Sequence, residues 1–205
     1  MHHAVHRRRL LAAATASTIA MRALLAGQRA FAQTGQRTIA DTLAADDRFT
    51  NFLEMAARAG FVDQLRGPGP FTIFAPTDAA MMRAPAGMLQ DLVGQGTGGG
   101  GGGTLSGASP DMVRLRAFLE YYAVRGLHPA AALAPDQRLR TVNGADLQVV
   151  AAPGGGLAVV NPAPGQQIRG LGASGLNVMP PAPITQADVP ASNGIIHVLG
   201  GVVFP

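Results

Sequence analysis

The chain has 205 residues, 47% hydrophobic and 14% charged, with 27 Gly, 15 Pro and no Cys, and every one of its 16 basic residues is Arg. That is enough apolar chain for one filled domain, and the missing Lys and Cys exclude a phosphate-loop lysine, a Schiff base, a thiol nucleophile, disulfides and thiolate metal sites. The net charge of +4 and pI near 10.9 come from the first residues: five arginines precede residue 33, so eleven face twelve Asp plus Glu afterwards, a balance of −1, which leaves no basic stripe for a nucleic acid.

Residues 1–32 read as an export signal. Arg7-Arg8-Arg9 form the charged start, a short apolar run from 10 to 21 follows, and Ala30-Phe31-Ala32 offers a small-x-small cleavage site before Gln33. Paired arginines ahead of Leu10-Leu11 resemble a twin-arginine signal. The run is too short to span a bilayer and is interrupted by Arg22, so no permanent membrane anchor is expected after cleavage. Residues 33–37 are a short linker, and 38–205 form the domain.

Phe49, Phe52, Leu53, Ala56 and Ala57 recur at helical spacing, with Asp46 or Asp47 as cap and Gly60 as stop. An apolar strand over 71–75 follows, and Pro76-Thr77-Asp78 turns the chain into a further helix by supplying a fixed φ and side-chain oxygens for unpaired N–H groups. Residues 94–107, with glycine throughout 98–103, are a low-complexity loop insert. No strand leads directly into that run and no helix opens from it, which argues against a phosphate cradle. Ser109-Pro110-Asp111 gives a cap and a first-turn proline for a helix whose Leu115, Phe118, Leu119 and Tyr122 share a face.

From Arg138 the pattern changes to short β segments. Asn143-Gly144 and Pro153-Gly154-Gly155-Gly156 bracket a strand over 145–151, and 157–160 follows. Leu176 to Met179 is a further candidate strand within a proline- and glycine-rich stretch, and 184–189 and 195–204 close the sheet. Helices first and strands later define an α+β class.

Two segments carry the most information. Phe71-Thr72-Ile73-Phe74-Ala75-Pro76-Thr77-Asp78 and Asn193-Gly194-Ile195-Ile196-His197-Val198 each place a polar residue among apolar neighbours beside a turn signal. Together they resemble the paired signature motifs of the fasciclin domain. Thr38-Ile39-Ala40-Asp41-Thr42-Leu43 is similar to the opening helix of that family, Thr141-Val142-Asn143-Gly144 to its central hairpin turn, and 184–189 to the strand before its second motif. The resemblance implies a wedge of antiparallel strands flanked by short helices, with Phe71, Thr72, Phe74, Ala75, Pro76, Thr77, Asp78, Asn193, Gly194, His197 and Val198 as its structural motif residues. It also implies a contact site at a Tyr-His pair, which aligns with Tyr121-Tyr122. Tyr122 stands in the histidine's place, so the carry-over reaches Tyr121 alone, with Tyr122 as a further contact candidate.

For His197, strand alternation puts the ring on one face with Ile195 and Leu199, the setting of a satisfied structural histidine. A general-base role beside Asp78 stands as the catalytic alternative. No G-x-S-x-G elbow and no histidine pair at metal spacing occurs, and no cofactor or metal is expected. The expectation is a secreted or periplasmic, non-enzymatic binding module contacting a cell-surface or matrix protein or glycan. The apolar excess, the eight Met and the glycine insert prompt the alternative, a carrier or sensor of a small apolar ligand.

Overall fold

The computed structural model describes residues 37–84, 112–162 and 180–205. The export signal, most of the linker, the glycine insert at 94–107, the Ser109-Pro110-Asp111 cap and the candidate strand at 176–179 lie outside the described residues.

The first third is helical. The helix α1 (Ile39–Ala44) starts where the Thr38 hydroxyl accepts from the Asp41 amide, 3.2 Å, and donates to the Asp41 carboxylate, 2.7 Å, an N-cap that satisfies one of the orphan donors of the first turn. A 3₁₀ turn, Asp47–Phe49, is capped by Asp46 and leads into α2 (Thr50–Arg58). The buried stripe there is Phe49, Phe52, Met55, Ala56 and Ala59. Phe49, Phe52 and Ala56 lie where the spacing puts them, while Leu53 is half-buried and Ala57 exposed; Met55 and Ala59 complete the face instead, since residues three and four apart stack on one side of a helix. Gly60, with φ +65°, ends it. A short helix, α3 (Val62–Arg66), is followed by β1 (Phe71–Pro76) and α4 (Asp78–Met82). Helix α1 packs on α2 and α3, and α2 packs on α4 and on α5 (Met112–Tyr121).

The strands β2 (Ala123–Arg125), β3 (Arg138–Arg140), β4 (Asp146–Ala151), β5 (Leu157–Val160), β6 (Ala182–Ala191) and β7 (Gly194–Leu199) join β1 in one sheet of order β2-β1-β7-β6-β5-β4-β3. Its ends approach each other, since Val124 of β2 bridges Thr141 beyond β3 and the Val142 amide donates to the Ala123 carbonyl, 2.8 Å. The sheet thereby curls towards a barrel.

The sheet corrects the antiparallel expectation at its centre: β1 and β7 run parallel, in register from Phe71 opposite Gly194 to Pro76 opposite Leu199. The remaining ladders are antiparallel. All six residues of β1 are buried, and β7 is buried at five of six. This is the pattern of a strand covered on both faces, and it explains the continuous apolar runs that both motifs show. The last strand ends at Leu199, short of the expected 204. Beyond it Gly200 and Gly201 pass close over Pro183 and Ala182.

Strand β6 is long and largely exposed, and its pairing with β7 shifts register between Ile184 and Gln186 and again between Gln186 and Val189. It meets β5 only through Ala182 and Pro183. Asp188, in the second irregularity, has φ +57°, the left-handed region that Asp tolerates better than bulkier residues.

Candidate functional site

The two motifs meet where β7 begins beside β1. Asn193 is the hub. Its Oδ1 accepts from the Ile39 amide, 2.8 Å, its Nδ2 donates to the carbonyls of Leu65, 2.9 Å, and Gly67, 2.8 Å, and its own carbonyl accepts from Phe71 N–H, 3.1 Å. One carboxamide thus ties the start of α1 to the end of α3, pairing groups that helix ends otherwise leave unpaired, while the backbone carbonyl of the same residue holds the entry of β1. Gly194 follows because the Phe71 carbonyl lies where a Cβ would stand.

The polar residues inside the motifs converge on one loop. Thr72, fully buried, donates from Oγ1 to the Gly126 carbonyl, 2.8 Å, and accepts from His128 N–H, 2.9 Å. His197, also fully buried, places Nε2 2.8 Å from the His128 carbonyl, while Nδ1 faces the Asp188 amide at 3.3 Å. A carbonyl only accepts and an amide N–H only donates, so Nε2 carries the proton and Nδ1 is bare. Burial holds the imidazole below its ordinary pKa of 6.5; the bond to the His128 carbonyl and the Asp188 carboxylate offset part of that shift. The Phe74 ring lies against the imidazole, centroids 5.2 Å apart. Asp188 Oδ1 in turn accepts from the Ala130 amide, 2.8 Å. Residues 126–130 are therefore gripped from β1, β7 and β6 together.

Thr77 and Asp78 are caps, though for different helices. The Thr77 hydroxyl accepts from Ala80 N–H, 3.2 Å, in its own helix, whereas Asp78 Oδ1 accepts from Asn51 N–H, 2.9 Å, at the start of α2. Asp78→Ala should cost about 1 kcal/mol in chemical denaturation by uncapping α2, and Asp78→Asn, which keeps the acceptor, should recover most of it. With Asp78 committed to Asn51 and both His197 nitrogens committed to backbone, the acid/base alternative loses its geometry. His128 and His197 do meet, through the His128 backbone; the His128 ring sits on the Arg125 carbonyl, 3.1 Å.

Tyr121 and Tyr122 are corrected as contact residues: both are fully buried. Their helix turns inward at its end, and each hydroxyl finds a backbone partner. Tyr121 donates to the Asp146 carbonyl, 2.9 Å, and Tyr122 both donates to the Val203 carbonyl, 2.7 Å, and accepts from the Val203 amide, 2.9 Å. Burial pushes both phenols well above their usual pKa. Tyr122→Phe orphans two buried backbone groups at once and should lower unfolding stability by about 2 kcal/mol; thermal or urea unfolding reads it.

Asp188 and the backbone of 126–130 escaped the sequence reading. The one hint was an Asp inside a strand pattern, which disfavours regular pairing. Outward, the gripped loop presents Leu127, 56% exposed, next to the exposed Arg125. Among the described residues no cluster of three or more His, Asp or Glu is placed to hold a metal ion, and no helix is long and apolar enough to cross a membrane.

Comparison with known proteins agrees with this geometry. The family model described as "Fasciclin domain" matches residues 47–205. The chain is 28% identical over 165 residues to the uncharacterized protein sll1735 of Synechocystis sp., covering 80% of this chain and 96% of that one. It is also 28% identical over 171 residues to stabilin-1 of Mus musculus, covering 83% of this chain and 5% of that much longer protein. Among solved structures, a fasciclin-type domain pair from the insect cell adhesion molecule fasciclin I aligns over 81% of this chain and 50% of that one, with a TM-score of 0.52 and 16% identity. This last likeness is one of fold.

Proposed function

The chain belongs to the fasciclin domain family, and on that premise we propose that it is an exported, non-enzymatic contact module that binds a cell-surface or matrix protein or glycan. Fasciclin domains occur in adhesion and extracellular matrix proteins, and the structural neighbour is itself part of a cell adhesion molecule. The observation that carries the reading is how the polar groups of the motifs are used. Thr72, Asn193 and His197 are all spent on backbone partners, which makes a rigid platform rather than a reacting centre.

The surface that this platform holds out is the loop around Leu127. A fixed backbone with an exposed apolar side chain binds without the entropy cost of ordering a mobile segment. Purified protein should bind saturably to one of the cell-wall, matrix or cell-surface fractions of its native envelope, and Leu127→Asp should weaken that binding at least about fivefold with no change in thermal midpoint. Absence of saturable binding in every fraction would overturn the reading, and a lipid or metabolite found bound by native mass spectrometry would favour the carrier instead.

A further inference from the structure

The His197 contact differs from the other internal hydrogen bonds in one respect: its geometry admits only the neutral ring. Nε2 must donate to the His128 carbonyl and Nδ1 must accept from Asp188 N–H. A proton added at Nδ1 would point at another donor, so the cation cannot keep this arrangement.

We propose that this contact is an acid-sensitive latch: protonation of His197 at Nδ1 detaches the β6 irregularity at Asp188 from β7 and draws the Asp188 carboxylate away from the Ala130 amide, loosening the loop after residue 128 while the rest of the fold stays closed. The proposal concerns the fold alone and holds whatever the loop binds.

Three observations support it. Asp188 is held in a left-handed conformation, φ +57°, at a point where the strand register already breaks; losing its N–H partner removes part of what keeps it there. The Asp188 carboxylate is the anion that acts on the ring, and its Oδ1 is occupied by Ala130 N–H, 2.8 Å, so serving the new Nδ1–H competes directly with holding the loop. The His128 amide hangs from Thr72 Oγ1, 2.9 Å, on another strand, and therefore need not move. The charged and titratable groups facing His197 are the Asp188 carboxylate from β6, which favours the cation, and the His128 ring from the loop, which opposes it; β1 contributes the uncharged Phe74.

The direction in pH follows from the buried neutral ring. The folded pKa lies below the unfolded value of 6.5, so the latch contributes fully above that pH and its contribution falls away as the pH drops from there through the folded pKa. Amide exchange and imidazole ¹⁵N shifts measured by NMR on the full chain, at about pH 7.5 and about pH 5, test it. After correction for intrinsic exchange, protection of the Asp188 and Ala130 amides should fall at least about tenfold relative to that of His128 once the ring shifts report the cation. Asp188→Asn keeps an acceptor for Ala130 but offers no anion to Nδ1–H, so Ala130 should keep its protection at the lower pH in that variant. Undiminished Asp188 and Ala130 protection beside a protonated ring would overturn the latch. So would loss of these amides only in step with the whole core, or a ring that stays neutral until the chain unfolds.

Discussion

Asn193→Ala is expected to lower the stability of the fold by about 3 kcal/mol, since it leaves the Ile39 amide and the Leu65 and Gly67 carbonyls without their side-chain partner, and each orphaned group costs about 1–3 kcal/mol when water cannot reach it. Asn193 is only half-buried, so solvent recovers part of the loss and the three contributions do not simply add. Asn193→Asp is the informative control. It retains an acceptor for Ile39 N–H but turns an anionic oxygen towards two carbonyls, and should be at least as damaging as alanine. Urea unfolding of the three proteins decides the matter; an aspartate variant as stable as the parent would show that the carboxamide donors do not hold the end of α3 to the start of β7.

Gly194→Ala is expected to be more severe, about 4 kcal/mol, beyond the usual 1–3 kcal/mol of overpacking, because the obstacle is backbone rather than a side chain that can turn away. The new methyl group would overlap the Phe71 carbonyl oxygen, would lie 2.9 Å from the carbon of that carbonyl and would come within 2.9 Å of Ile39 Cδ1. Relief would require β1 and β7 to part at the first pair of their parallel ladder. Ile39→Val in the Gly194→Ala background separates the two obstacles. It should restore less than about 1 kcal/mol, against a full rescue if the isoleucine alone were in the way. Thermal unfolding of the single and double variants reads this directly.

Much of the fold was legible from local rules. The segment that Thr38 opens, similar to the family's first helix, is helical from Ile39, and Thr38 caps it because a hydroxyl before an apolar period meets unpaired amides. Asn143-Gly144 is a turn because Gly144 must adopt φ +87°, and Asn143 secures it by accepting from the Ala145 amide and donating to the Ala117 carbonyl within α5. The strands at 71–76, 146–151 and 157–160 follow the apolar runs that announced them.

What stayed hidden was non-local. Periodicity states that Phe71 to Pro76 is a strand but carries no information on which neighbour it takes or in which direction, and the resemblance supplied an antiparallel picture where the central pair is parallel. The same limit applies to the site. A buried histidine must have partners, yet nothing in the sequence names the His128 carbonyl and the Asp188 amide as those partners. Asp78 looked like a cap for the helix it begins and instead caps α2, because the tertiary packing of α4 on α2 brings Asn51 within reach. Tyr121 and Tyr122 resembled a contact pair by alignment, and alignment has no term for which way the end of a helix faces; the structure turns both rings inward.

Strand β6 carries a consequence for the behaviour of the molecule at high concentration. Past Pro183 its β5 side meets no other strand among the described residues, and a straight row of unsatisfied amides and carbonyls on such a margin would recruit a neighbouring molecule and seed fibrils. Here that row is broken by Pro190, which has no N–H, by two slips of register and by the backward twist at Asp188. The irregularities that disfigure the ladder are thus what make the domain a poor template for its own aggregation.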